Sequence, residues 1–247
     1  MDYGILARTY KPLDYSVQLK NTLSGFYKGE NFDSLSKKEL HLKINDILFK
    51  HYKGEEILKF KLAEIFKNKD YVAAFEVKAK SSRADFLVIN GHTKCFEIKS
   101  QIDTLYRLEK QTKDYGDVFE FNTAVIDKKH LKAVSLLIPE YYGIWYFSGA
   151  KKIMHREARL SPCLNHKAQL NLFTKKELKK YFGGEGDLEL IMNTFSGEQI
   201  NQKLKDALKA RYNQRWNFVK SNWDKILPID LQFFFNTNVC PDLIYST

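Results

Sequence analysis

The chain is short of cysteine and of long apolar runs, and both shortages narrow what it can be. Its 247 residues include three cysteines, Cys95, Cys163 and Cys240. An odd number, widely separated and without paired spacing, argues against a disulfide framework and against a cysteine-built zinc site. It fits reduced thiols in a cytoplasmic protein. No apolar stretch approaches the ~18 residues of a membrane span; the longest, VSLLI, fits one strand or helix segment. The opening MDYGILARTYKPLDYS has no apolar core of the kind a signal peptide carries. Internal repeats and low-complexity tracts are missing too. None of the six histidines stands at ligand spacing from a partner.

What is present is enough for a large core: hydrophobic residues make up 44%, with 18 Phe and 14 Tyr. Charge is lopsided, 40 Lys+Arg against 30 Asp+Glu, a net +10. Such a balance suggests a polyanionic partner, nucleic acid first, or else an ordinary lysine-rich solvated surface.

Periodicity divides the chain in three. Residues 1–33 form a mixed, aromatic N-terminal arm. Residues 34–150 read as the core. Ser36 with Glu39 three residues on is a capping box opening a helix over 37–53, and a second helix follows over 55–67. Strands are expected at 71–78, 84–89 and 94–99, then an amphipathic helix over 102–119. A strand at 121–127, a helix at 128–137 and a strand at 141–148 complete it. The order α-α-β-β-β-α-β-α-β predicts an α/β fold with a mixed central sheet flanked by helices. Residues 151–247 read as a mostly helical C-terminal extension. It has a capped helix from Thr174 to Phe182 and a long basic helix from Ser196 to Trp216 or beyond. The LQFFFN run at 231–236 is ambiguous between helix and strand. The long helix interleaves Lys203, Lys205, Lys209, Arg211, Arg215 and Lys220 with Tyr212, Trp216 and Trp223. It suits either nucleic-acid backbone contact or a solvated face packed by its aromatics.

The chemistry concentrates in RADFLVINGHTKCFEIKS, residues 83–100. Asn90-Gly91 between two apolar runs marks a hairpin, yet Asp85 interrupts one strand and Glu97-Ile98-Lys99 ends the other. A strict two-residue turn would set the acids on opposite faces. A three-residue loop, Asn90 to His92, or a bulge sets Asp85 against Glu97 on one face. Opposed buried carboxylates repel and are poorly solvated. A hard divalent ion, Mg²⁺ or Mn²⁺, removes both objections, with the Ile98 carbonyl as a third ligand. Lys99, on the same face, is placed to orient a water or steady negative charge on a phosphate.

Asp85, a gap of eleven residues, then Glu97-Ile98-Lys99 resembles the signature of the PD-(D/E)XK nucleases, although Ala84 stands where proline is common. Gln111-Thr-Lys-Asp-Tyr115 resembles the QxxxY element of their RecB-like and lambda-exonuclease-like branches. The string SSRADFLVINGHTKCFEIKSQIDTLYRLEKQTKDY is similar to the sce7726 proteins of bacteria and phages, over roughly residues 37–148. The resemblance implies a restriction-endonuclease-like αβββαβ core and metal-dependent phosphodiester hydrolysis, of DNA ahead of RNA, in phage defence or mobile-element biology. It implies Asp85 and Glu97 as Mg²⁺ ligands, Lys99 as the catalytic lysine and Gln111 as its assistant. Glu76 is a further candidate acid, and Glu39 either a helical metal acid or the capping-box member. Asp103, Arg107, Gln111 and Tyr115 fall on one helical stripe, with an Asp103–Arg107 ion pair expected. Arg107 and Tyr115 would meet phosphate there, as would Ser82 and Arg83 just before the first acid; Tyr115 fits the core face equally. The rival readings are a nucleic-acid-binding protein without catalysis and an immunity-type protein-interaction module on the same fold. Nothing in the sequence sets an oligomeric state.

Overall fold

The computed structural model describes residues 2–246. Two short helices come first, α1 (Tyr3–Thr9) and α2 (Ser16–Phe26), so the N-terminal arm is folded. They pack on α3 (Lys37–His51) through Leu6, Leu19, Leu23, Leu40, Ile44 and Leu48, a cluster separate from the main core. α3 starts where its capping box sits: Ser36 N–H and Oγ donate to Glu39 Oε2 at 2.8 and 2.6 Å. α4 (Glu55–Phe66) follows after Gly54, with Glu55 and Glu56 in its first turn, where the helix dipole favours acids.

Six strands then build one mixed sheet in sequence order: β1 (Val72–Ala79), β2 (Ser82–Ile89), β3 (Thr93–Lys99), β4 (Phe121–Ile126), β5 (Gly143–Ser148) and β6 (Lys151–Arg156). β1–β2–β3 are antiparallel, β3–β4–β5 parallel, and β6 returns antiparallel. The parallel steps need crossovers, supplied by α5 (Leu108–Gly116) and α6 (Leu131–Leu137), the latter entered through a 3₁₀ turn at Lys128–His130. The predicted element order for residues 37–148 is therefore the observed one.

Three differences have physical causes. α5 begins at Leu108 rather than 102, because Asp103 folds back to accept from Ser100 N–H and Oγ at 2.7 and 2.6 Å instead of pairing with Arg107. β6 carries the sheet past residue 150; it is an edge strand, exposed and lysine-rich, so no apolar alternation announces it. The C-terminal segment is not an appendage. It contains α7 (His166–Leu170), α8 (Lys175–Phe182), α9 (Leu188–Thr194), α10 (Gly197–Ser221), α11 (Leu231–Thr237) and α12 (Pro241–Ser246).

These helices share the main core with the sheet. One sheet face carries Phe75, Phe86 and Phe96, covered by Phe66 of α4, Trp216 of α10 and Phe235 of α11. On the long basic helix Trp216 is fully buried. Lys205 reaches the Gly91 carbonyl at 2.8 Å, and Arg211 pairs with Glu177. Packing thus claims part of the basic and aromatic interleaving. The other face carries Cys95, Glu97, Ala124, Ile126 and Ile144 beneath α5 and α6. Among the described residues no helix is long and apolar enough to cross a membrane.

Candidate active site

Phe86 pairs with Phe96 and Ile89 with Thr93, which leaves Asn90, Gly91 and His92 as a three-residue loop. Gly91 takes φ +85°, a conformation glycine adopts at little cost, and Asn90 N–H donates to the His92 carbonyl at 3.1 Å. Continued one step, that register sets Asp85 opposite Glu97. Both side chains are buried, and Lys99, also buried, forms an ion pair with Glu97 Oε1. Asp85 Oδ2 accepts from Ile98 N–H at 2.5 Å, so Ile98 contributes its amide to the carboxylate.

Burial and the neighbouring Glu97 push the Asp85 carboxyl well above its ordinary range. Burial raises Glu97 as well, partly offset by Lys99 and Tyr115. Two like charges in a dry site cannot both ionise without a proton or a cation between them. Tyr115 is fully buried, with its hydroxyl 2.5 Å from the Arg83 carbonyl and 2.8 Å from Glu97 Oε2. Its one proton serves either acceptor at a time. It therefore orients Glu97 and is not free to stack on a base or meet a phosphate. Gln111, one turn earlier, donates to the Tyr115 hydroxyl at 3.4 Å, while its Oε1 is buried without a partner.

Asp85 opens onto a cavity of about 730 Å³. Lys78, Lys80, Arg83, Arg107 and Lys110 ring it with positive charge, and Gln111 and Ser82 line it. The Ser81 and Ser82 hydroxyls both donate to Asp114 Oδ2 at 2.7 Å, fastening the β1–β2 turn to α5. Arg107 stands just before α5 in helical conformation, and Gln111 N–H donates to its carbonyl at 3.0 Å, so the expected Arg107–Gln111 side of the stripe survives. Of the expected site residues, Asp85, Gln111, Ser82, Arg83, Arg107 and Glu76 line this chamber, and Glu97 and Lys99 are buried behind Asp85. Glu39 does not join them. Its carboxylate is solvent-exposed and closes the capping box, whose bonds to Ser36 hold its pKa down.

Three further residues that residue reasoning did not single out stand here: Glu55 lines the chamber, and Lys59 and Gln232 lie behind its acids. The Lys59 ammonium lies 3.1 Å from Glu55 Oε1, 2.7 Å from Glu76 Oε1 and 2.7 Å from Gln232 Oε1. Burial pulls its pKa down, but Glu55, Asp85 and Glu76 outweigh that and leave it above the usual lysine range. Glu76 is skipped in the β1–β2 register, between the pairs Phe75–Phe86 and Val77–Ala84, and sits at φ +54°, a left-handed conformation costing a non-glycine residue about 1–3 kcal/mol. Glu55–Lys59 is an i, i+4 pair, in sequence indistinguishable from a surface helix pair.

Among the described residues no group of three or more His, Cys, Asp or Glu side chains gathers in metal-holding geometry. The pair Asp85–Glu97 nevertheless fits a hard divalent ion. Mg²⁺ is commonly held by one or two carboxylates, the rest of its shell being water and phosphate oxygen, and these two need a counter-charge.

Fold and site together define a mixed α/β protein with a buried carboxylate pair at the base of a cation-rimmed chamber. The chain belongs to the bacteriophage P4 protein cII family, whose family model matches residues 45–234. It is 29% identical over 151 residues to protein cII of Enterobacteria phage P4, an alignment covering 56% of this chain and 57% of that protein. Among solved structures it resembles the SPO1766 protein of unknown function from Silicibacter pomeroyi. The identity is 17% and the TM-score 0.36, over 47% of this chain and 77% of that one.

Proposed function

We propose that the chain is a metal-dependent nuclease that hydrolyses phosphodiester bonds, in DNA ahead of RNA. Its core would be of the restriction-endonuclease-like, PD-(D/E)XK type, akin to the sce7726 proteins. The observation that carries this reading is the opposition of Asp85 and Glu97, with Lys99 on Glu97, at the base of a chamber rimmed by five cations. Asp85 and Glu97 would hold Mg²⁺ or Mn²⁺, which supplies Lewis acidity and an acidified water at a phosphate. Tyr115 fixes the Glu97 carboxylate, and Ile98 N–H fixes Asp85. Lys99, released from Glu97 once that charge is shared, would orient the attacking water or neutralise charge building on the phosphate. Arg83 and Arg107 would grip neighbouring phosphates, where the guanidinium fork suits two oxygens at once. Gln111, which lines the chamber, would accept from that water through its buried, unpartnered Oε1. The phage origin of its relative suits a role in phage or mobile-element biology.

A second reading keeps the chamber as a grip for nucleic acid without cutting. The observation favouring it is the Lys99–Glu97 ion pair, which satisfies both groups without a metal. One experiment separates the two. The protein and its Asp85→Ala and Lys99→Ala variants are incubated with labelled single- and double-stranded DNA and RNA in Mg²⁺, Mn²⁺ or EDTA. Cleavage that needs metal and disappears in both variants is the expected result. Equal binding by all three proteins with no cleavage on any substrate would replace the nuclease with the binder.

A further inference from the structure

Lysine is almost never fully buried unless paired. Lys59 is 3% exposed, and its three acceptors, Glu55, Glu76 and Gln232, use all three ammonium protons. Glu76 holds its left-handed backbone while making the 2.7 Å contact. The chamber's acids therefore fall into two sets. Glu55 and Glu76 are occupied by an internal ammonium. Asp85 and Glu97 share a single ammonium contact, Lys99 on Glu97, beside two neutral donors, the Tyr115 hydroxyl on Glu97 and the Ile98 amide on Asp85.

We propose that Lys59 is a built-in counter-cation standing where a second divalent ion would otherwise sit, so that the chamber takes a single metal ion, held by Asp85 and Glu97. This rests on the nuclease reading above and deepens it. Glu55 and Glu76 are then positioning residues for Lys59 and not metal ligands. An acidic pocket that carries its own fixed charge gains nothing from a second ion unless that charge is removed. The neutral variant Lys59→Gln keeps a donor toward Glu76 but leaves Glu55 and Glu76 without their ammonium, two carboxylates suited to another hard ion.

The test counts Mn²⁺ bound to the full chain, by the electron paramagnetic resonance signal of the free ion, with folding followed by circular dichroism. The expected counts are one ion for wild type, one for Lys59→Arg and two for Lys59→Gln. A count of two in wild type, or of one in folded Lys59→Gln, overturns the proposal and leaves the nuclease reading standing. A count of none in folded wild type removes the nuclease reading, and this proposal with it. Should Lys59→Gln not fold, the wild-type count and Glu76→Gln decide. Glu76→Gln is expected to keep one ion with affinity within about threefold, whereas losing even a supporting partner of a metal ligand costs about 10–100-fold. A loss of that size in Glu76→Gln would make Glu76 part of the metal site and overturn the proposal.

Discussion

Asp85 and Glu97 are held together against their mutual repulsion, and that makes neutralising one of them informative. Asp85→Asn keeps an acceptor for Ile98 N–H and removes one buried charge. It is expected to raise the metal-free unfolding free energy by about 1–3 kcal/mol in urea titrations while abolishing Mn²⁺ binding. A variant both less stable and still metal-binding would contradict the account of the pair. At this scale the hairpin acids and Lys99 were legible because strand alternation and an odd loop length fix which side chains share a face. Lys59 was not. Its partner Glu55 looks like a surface neighbour, Glu76 reaches it through an unusual backbone angle, and Gln232 lies 173 residues away. For Tyr115 spacing allowed both a phosphate contact and the core face, and it takes the core face, its hydroxyl turned inward onto Glu97.

Elements carry their own tests. The capping box of α3 accounts for Glu39 without any chemistry. Ser36→Ala should cost about 0.5–2 kcal/mol of stability, and Glu39→Gln should leave metal binding and cleavage at wild-type levels. A large loss of metal affinity in Glu39→Gln would return that acid to the site. The β2–β3 loop depends on the positive φ of Gly91, so Gly91→Val should cost about 1–2 kcal/mol by chemical denaturation. Helices and strands with caps, alternation or turn residues could be read from the sequence nearly to their ends. α5 and β6 could not: a side chain folding back on its own turn delays one, and edge-strand lysines disguise the other.

Across the whole molecule, the sheet and the C-terminal helices bury one another. A fragment ending at residue 150 would expose Phe75 and Phe86 where Phe235 and Trp216 now lie. It should lack a cooperative thermal transition and aggregate, as light scattering would show. The two ends are joined by a buried polar cluster. Asp230 Oδ2 accepts from Tyr10 at 2.9 Å, from Tyr245 at 2.8 Å and from Asn45 at 3.3 Å, and Tyr10 also bonds His41 Nδ1 at 2.8 Å. Burial pushes Asp230 from 3.8 up to about 6, and pushes His41 from 6.5 down to about 4. The folded protein therefore takes up a proton at Asp230 that the unfolded chain lacks, a contribution full below pH ~4 and lost as pH rises through ~6. At His41 the folded protein refuses a proton, a contribution full above pH ~6.5 and lost as pH falls towards ~4. Each spans a little over two pKa units, about 3 kcal/mol, with opposite sign. Relative to wild type, Asp230→Asn should therefore gain stability more steeply between pH 4 and 6.5, and His41→Asn less steeply, in urea midpoints across that range. This cluster escaped sequence reading because it joins residues up to 220 positions apart.

The Lys59–Gln232 contact has a consequence in time. On the ribosome, α4 and the whole sheet emerge long before Gln232 does. Until then Lys59 lacks one of its three anchors and holds only Glu55 and Glu76. The three-point hold on Lys59 is therefore completed only after the last of these elements, α11 with its Gln232, has been made.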